Sequence, residues 1–96
     1  MLGSNDWKNL QEKFLSIASE KLNLMEQALS KKDFSLVQLY AHQLKGSGAS
    51  FGFDEVTEIA GQIEVKCMQN SCEEVIELVK KLNELVKVLK SNLQSG

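Results

Sequence analysis

The chain has 96 residues, no proline, six glycines, and 11 Lys/Arg against 13 Asp/Glu, for a formal charge of −2. That length holds one small domain with one core, and a composition rich in Leu, Val, Lys and Glu favours helix over sheet. The mild acidity excludes a general phosphate-backbone binder, which needs a basic excess, so no nucleic acid is expected as a partner. No apolar run approaches the roughly 18–20 residues of a membrane span. The start, MLGSNDWKN, lacks the apolar stretch of a secretion signal. Cys67 and Cys72 sit among helix formers. Reduced thiols are therefore expected, in a cytoplasmic chain without direct membrane contact.

Apolar residues recur with helical period nearly throughout. In the first helix Trp7, Leu10, Phe14, Ile17, Leu24 and Ala28 form one stripe. Leu15, Ala18, Leu22, Met25 and Leu29 form another beside it. Together they predict a wide buried face, broader than a two-stranded coiled-coil seam. Ser4, Asn5 or Asp6 is expected to cap the start. The helix ends near SKKD, where Asp33 is a good N-cap for the next one.

The second helix is predicted from Phe34 to Phe51. Gly52 fits the position just past its end, with Phe53 packing back. Asp54 is expected to cap a third helix with Val56, Ile59, Ala60, Ile63 and Cys67 on its inner face. NSCEE is a break. Ser71 and Glu74 there have capping-box spacing and open a fourth helix. Its core side reads Val75, Leu78, Val79, Leu82, Leu85, Val86, Leu89 and Leu93. Four helices joined by short connections predict an all-α, antiparallel four-helix bundle, a single monomeric domain over residues 5–93. Residues 1–4 are expected to be a flexible N-terminus or cloning remnant, and 94–96 a flexible C-terminus.

The only histidine, His42, lies in the second helix, in AHQLKGSGASFG. On a wheel of about 100° per residue, Phe34, Val37, Tyr40, Ala41, Leu44, Gly48 and Phe51 gather on the core side, and His42 lies roughly 140° from their centre. His42 is therefore predicted to face solvent or a partner. Its neighbours three and four residues away are Gln38, Leu39, Lys45 and Gly46, with Ala49 one turn further. An ordinary solvated face carries several Glu and Lys residues. This one sets small or apolar residues around one imidazole and one ammonium. Gly46 costs about 1 kcal/mol against alanine in a helix interior. Close approach of another surface is what its missing side chain offers. Gly48, on the core side, is expected to permit tight helix contact instead.

Few chemistries suit such a face. Ser47 and Ser50 are poorly placed for a triad with His42. GSGAS lacks the Walker A order, and no nucleotide-binding signature is present. A metal site would have to gather His42, Cys67 and Cys72 without zinc-type spacing, so none is expected. Phosphorylation of His42 itself fits better. Imidazole is a nucleophile at neutral pH. Lys45 neutralises part of the added charge, a surface effect of about 1 kcal/mol or less. Phosphoryl transfer depends mainly on positioning and charge stabilisation, which a partner's active site can supply. The alternative is an adaptor bundle that binds a partner through the same face without phosphorylation.

His42-Gln43-Leu44-Lys45-Gly46-Ser47, with Gly52 ten residues after the histidine, resembles the signature of the histidine-containing phosphotransfer (HPt) domain, roughly H-x-L-K-G-[SA]-[SAG]-x-x-x-G. Ile63-Glu64 occupies the place of the L-E or I-Q pair that often ends the family's motif on the third helix. The resemblance is closest to the bacterial type found at the end of hybrid sensor kinases, although free-standing members exist. It implies a phosphorelay intermediate in two-component signalling that is not itself a kinase. His42 would accept a phosphoryl group on Nε2 from a receiver-domain aspartate and pass it to another receiver. Lys45 would help hold the phosphate, and Gly46 would let the receiver approach. Glu64 would accept a hydrogen bond from Nδ1–H and fix the tautomer. Gln38, Leu39 and Ala49 complete the expected partner-binding face. The resemblance also implies no cofactor of the chain's own, with Mg2+ in the partner receiver. Receiver domains or a hybrid sensor histidine kinase would be the partners, the chain being cytoplasmic or the cytoplasmic end of a membrane-bound kinase. Gly48 stands where Ser or Ala is commoner.

Overall fold

The computed structural model describes residues 4–95. Residues 1–3 and 96, in the expected flexible ends, lie outside the described residues, whereas residues 4 and 94–95 are helical. The elements are α1 (Ser4–Ser30), α2 (Phe34–Gly48) with a 3-10 turn (Ala49–Phe51) continuing it, α3 (Asp54–Met68) and α4 (Cys72–Ser95). No strand occurs among the described residues. Each helix packs on two others, α1 on α2, α2 on α3, α3 on α4 and α4 on α1, with α2 and α3 the most closely apposed pair. This closed ring of antiparallel neighbours is the expected four-helix bundle.

The core draws on all four helices. Leu15, Leu22, Met25, Leu44, Ile63 and Leu82 are its largest fully buried side chains. Each stabilises the fold by about 1.5–3 kcal/mol relative to an exposed side chain. The inner faces expected of α3 and α4 are the observed ones, with Leu78, Leu85, Leu89 and Leu93 half-buried at the edge. The buried face of α1 is narrower than its sequence predicts. Phe14, Leu15, Ala18, Leu22, Met25 and Ala28 are buried, while Trp7, Leu10, Ile17 and Leu24 are about two-fifths exposed. A helix with two packing partners has one wedge to fill, and the second stripe fills most of it, joined by Phe14 and Ala28 of the first.

Three helix ends share one geometry, a residue in the left-handed conformation closed by a pair of backbone hydrogen bonds. After α2 it is Gly52 (φ 85°), whose N–H donates to Ala49 O at 3.0 Å while Phe53 N–H donates to Gly48 O at 2.9 Å. Phe53 packs back into the core, as expected. After α1 the residue is Lys32 (φ 58°), and after α3 it is Asn70 (φ 57°).

The helix starts depart more from expectation. Asp33 caps α2 as predicted, accepting from Leu36 N–H at 3.2 Å. Asp54 does not cap α3. Phe53 holds the cap position, because the turn after Gly52 leads straight into the helix, and Asp54 lies in the first turn with Glu55. Both carboxylates there still favour the positive end of the helix dipole. Ser4, Asn5 and Asp6 likewise fall inside the first turn of α1 rather than at its cap. Ser71 does precede α4. Its N–H donates to Lys66 O at 3.0 Å, and Glu74 Oε2 meets Lys66 Nζ at 2.8 Å, so α3 takes both partners of the expected capping box.

Candidate functional site

The site forms where α2 and α3 come closest. Gly48 allows that approach, since a Cβ there would lie 2.7 Å from Thr57 Oγ1 and 2.9 Å from Thr57 N. Further along the same seam the helices meet through polar side chains. His42 Nδ1 lies 2.8 Å from Glu64 Oε2, and Lys45 Nζ lies 3.1 Å from Glu64 Oε1. One carboxylate thus holds an imidazole with one oxygen and an ammonium with the other.

The exposure of the two partners differs in a way that matters chemically. The His42 side chain is 66% exposed, and that of Glu64 only 16%. A carboxylate can only accept, so Nδ1 carries the proton in this contact. In the neutral ring, the remaining nitrogen, Nε2, then holds the lone pair. Partial desolvation acts to raise the Glu64 carboxyl pKa, but hydrogen bonds and charge from Lys45 and His42 outweigh it and hold the group below the usual glutamate range. Glu64 therefore stays an anion at neutral pH.

Ser35, Gln38, Leu39, His42 and Glu64 line a shallow depression of about 360 Å3. Leu39 is half exposed at its edge. Gly46 is exposed, with no atom within 4 Å of where its Cβ would stand, and Ala49 is exposed beyond it. His42, Lys45 and Glu64 are thus assembled at one point. Gln38 and Leu39 lie to one side of them, and Gly46 and Ala49 follow along α2.

Three residues absent from the sequence reading belong to this neighbourhood. Ser35 lies two turns before His42, a spacing the helical wheel contains. Gly61 lies under the Lys45 stem, where a Cβ would meet Lys45 Cδ at 3.6 Å. The Thr57 hydroxyl donates to Lys45 O at 2.8 Å and accepts from Ala49 N–H at 2.7 Å. Gly61 and Thr57 precede Glu64 by three and seven residues, and that shared face of α3 is the signal that pointed to them.

Other candidate sites are less developed. Cys67 is buried, its thiol pushed up by burial and by the Glu64 charge, whereas Cys72 is exposed at the start of α4. Among the described residues no three His, Cys, Asp or Glu side chains gather as a metal site, so His42, Cys67 and Cys72 do not form one. A hollow of about 600 Å3 lies between α3 and α4, where Glu73, Glu74, Glu77 and Ile76 are among its walls. It includes neither His42 nor Glu64. No described helix is long and apolar enough to cross a membrane.

The chain matches the family model of the Hpt domain over residues 9–92. No curated protein and no solved structure gives a significant match.

Proposed function

The chain belongs to the Hpt domain family, whose members carry phosphoryl groups on histidine in two-component phosphorelays, and from that premise we propose that His42 is the carrier residue. The observation that carries the proposal is the pose of its ring. The side chain is 66% exposed, with Nδ1 tied to Glu64 at 2.8 Å. That leaves Nε2 as the free nucleophilic nitrogen.

Nε2 attacks the phosphorus of an aspartyl phosphate on a receiver domain. The bond from phosphorus to the aspartyl oxygen breaks, and the carboxylate leaves with the electron pair. The ring gains positive charge while its proton stays on Nδ1, and the Glu64 anion opposite stabilises that charge. In the onward step an aspartate oxygen of a second receiver attacks the phosphorus. The ring then departs as neutral imidazole, still protonated on Nδ1. No proton has to move in either step.

Lys45 supplies the local positive charge for the phosphoryl oxygens. Mg2+ belongs to the receiver, whose site provides most of the charge stabilisation. Gln38 and Leu39 on one side, and Gly46 and Ala49 on the other, form the surface the receiver meets. Close packing at Gly46 is open to it because nothing lies within 4 Å of that position.

Incubation with a phosphorylated receiver tests the reading. Acid-labile, base-stable label is expected on the wild type and not on His42→Gln. Label persisting in His42→Gln would defeat the assignment. Binding of a receiver with no label transferred from any receiver encoded alongside the chain would favour the adaptor reading.

A further inference from the structure

The face of α3 that brings Glu64 to His42 makes a second polar contact with α2, one the proposed reaction does not use. Thr57, Gly61 and Glu64 stand at i, i+4 and i+7, one stripe along α3. At the far end of that stripe the Thr57 hydroxyl donates to Lys45 O at 2.8 Å and accepts from Ala49 N–H at 2.7 Å. In an uninterrupted α-helix those two backbone groups bond to each other. The hydroxyl therefore bridges a donor and an acceptor that belong to one rung of the α2 ladder. At that point α2 ends at Gly48 and tightens into the 3-10 turn. Gly48 makes the close approach possible, since a Cβ there would lie 2.7 Å from the same oxygen.

The contacts run on to the histidine. Lys45, whose carbonyl Thr57 holds, passes its stem over Gly61 and sets its ammonium on Glu64, which holds His42. The apolar contacts between α2 and α3 are non-directional and tolerate small slips. A one-residue slip of a helix moves its side chains by about 1.5 Å along the axis and 100° around it. A hydroxyl bonded on both sides to backbone is directional and tolerates neither.

We propose that Thr57 is a positioning residue for His42: its hydroxyl, bridging two backbone groups of α2, locks α2 against α3 in the register that brings His42 and Lys45 to the two oxygens of Glu64. Its effect on transfer rests on the reading of His42 as the phosphate carrier, but its effect on the ring can be measured without phosphate.

Thr57→Val keeps the shape and removes the hydroxyl, and Thr57→Ser keeps the hydroxyl. Two readouts are taken for each: the 15N shifts of the His42 ring in the free protein, and the saturating transfer rate from a phosphorylated receiver. In Thr57→Val the ring shifts should move from a single Nδ1–H tautomer toward a mixture, and the saturating rate should fall roughly three- to tenfold. Thr57→Ser should restore both. Should the valine variant unfold, Thr57→Ala takes its place, since the smaller side chain leaves the Ala49 N–H and the Lys45 carbonyl room to bond directly, and the same change in ring shifts is required of it. Ring shifts that superimpose on wild type in a folded Thr57→Val or Thr57→Ala, or a failure of serine to restore them, would overturn the proposal. Ring shifts that move as expected, in a protein whose wild type takes no label, would retire the carrier reading and leave the role of Thr57 standing.

Discussion

Glu64 is the residue on which the site turns, because it meets His42 and Lys45 with different oxygens. Its depressed pKa fixes the sign of one pH effect. A carboxyl whose folded pKa lies below its unfolded value contributes stability above the unfolded value, about 4.3 for glutamate, and loses that contribution as the pH falls through the folded value. The carboxylate's share of the difference in unfolding free energy between wild type and Glu64→Gln should therefore be lost as the pH falls below about 4.3. Denaturant melts across that acid range measure it, and a difference that grows below that pH would contradict the assignment. The glycines make a second contrast. At Gly46 an added Cβ meets no atom from elsewhere in the fold and leucine replaces a poor helix former, so Gly46→Leu should stabilise the protein by about 0.5–1 kcal/mol. The same change should raise the receiver concentration for half-maximal transfer by about tenfold or more, the equivalent of losing 1.4 kcal/mol of docking. A higher melting temperature with unchanged docking would remove the reason given for that glycine. The outward turn of His42 and its neighbours Leu39, Lys45 and Gly46 was legible from helical period alone. The Glu64 contact was legible only through the family resemblance, because period does not say which residues of two different helices meet. Thr57 shares the Glu64 face of α3, but its contact with the α2 backbone was not legible. Its role depends on how near α3 lies to the backbone of α2, and no pattern within either helix encodes that distance.

Helix ends show which local signals survive packing. Gly52 was readable because glycine is the ordinary choice for a left-handed position, and Asp33 because its carboxylate reaches the N–H three residues on. Asp54 was misread as a cap because the Gly52 turn leaves no spare residue before α3, so Phe53 serves both turns. Lys32 carried no signal, since a lysine after a helix usually reads as plain solvated charge. Its left-handed backbone (φ 58°) nonetheless carries a strain of about 1–2 kcal/mol, which glycine would escape. Glycine also gains more freedom in the unfolded chain, an opposing effect of about 0.4–1 kcal/mol. Lys32→Gly should therefore stabilise the fold by about 0.5–1 kcal/mol, the strain relieved less that entropy. Chemical denaturation gives the number. A loss of stability would mean that Lys32 makes a contribution its φ angle does not reveal.

At the scale of the whole molecule, the core is shared by all four helices, whereas the His42 cluster lies on one side of the ring. α1 and α4 are the long pair, 27 and 24 residues against 15 each for α2 and α3. The short pair holds every residue of the His42 cluster. The two apolar stripes of α1 could not be ranked from sequence, because both have the right period and only the placement of α2 and α4 decides which is covered. Leu82 on α4 is fully buried and belongs to neither helix of the site. Leu82→Ala removes its packing and should cost about 2–5 kcal/mol. That is a large share of the roughly 5–15 kcal/mol by which a small domain is stable. The His42–Glu64 and Thr57–Lys45 contacts do not involve α4, so the molecules that remain folded should hold the ring as wild type does. Transfer at low temperature, divided by the folded fraction from circular dichroism, should then equal the wild-type rate, and the His42 ring shifts should be unchanged. Thr57→Val makes the opposite demand, a ring that moves in a fold that holds. A Leu82→Ala variant that slows transfer per folded molecule as much as Thr57→Val does would mean that the α2–α3 register depends on the whole core, and that the hydroxyl is only one of the contacts maintaining it.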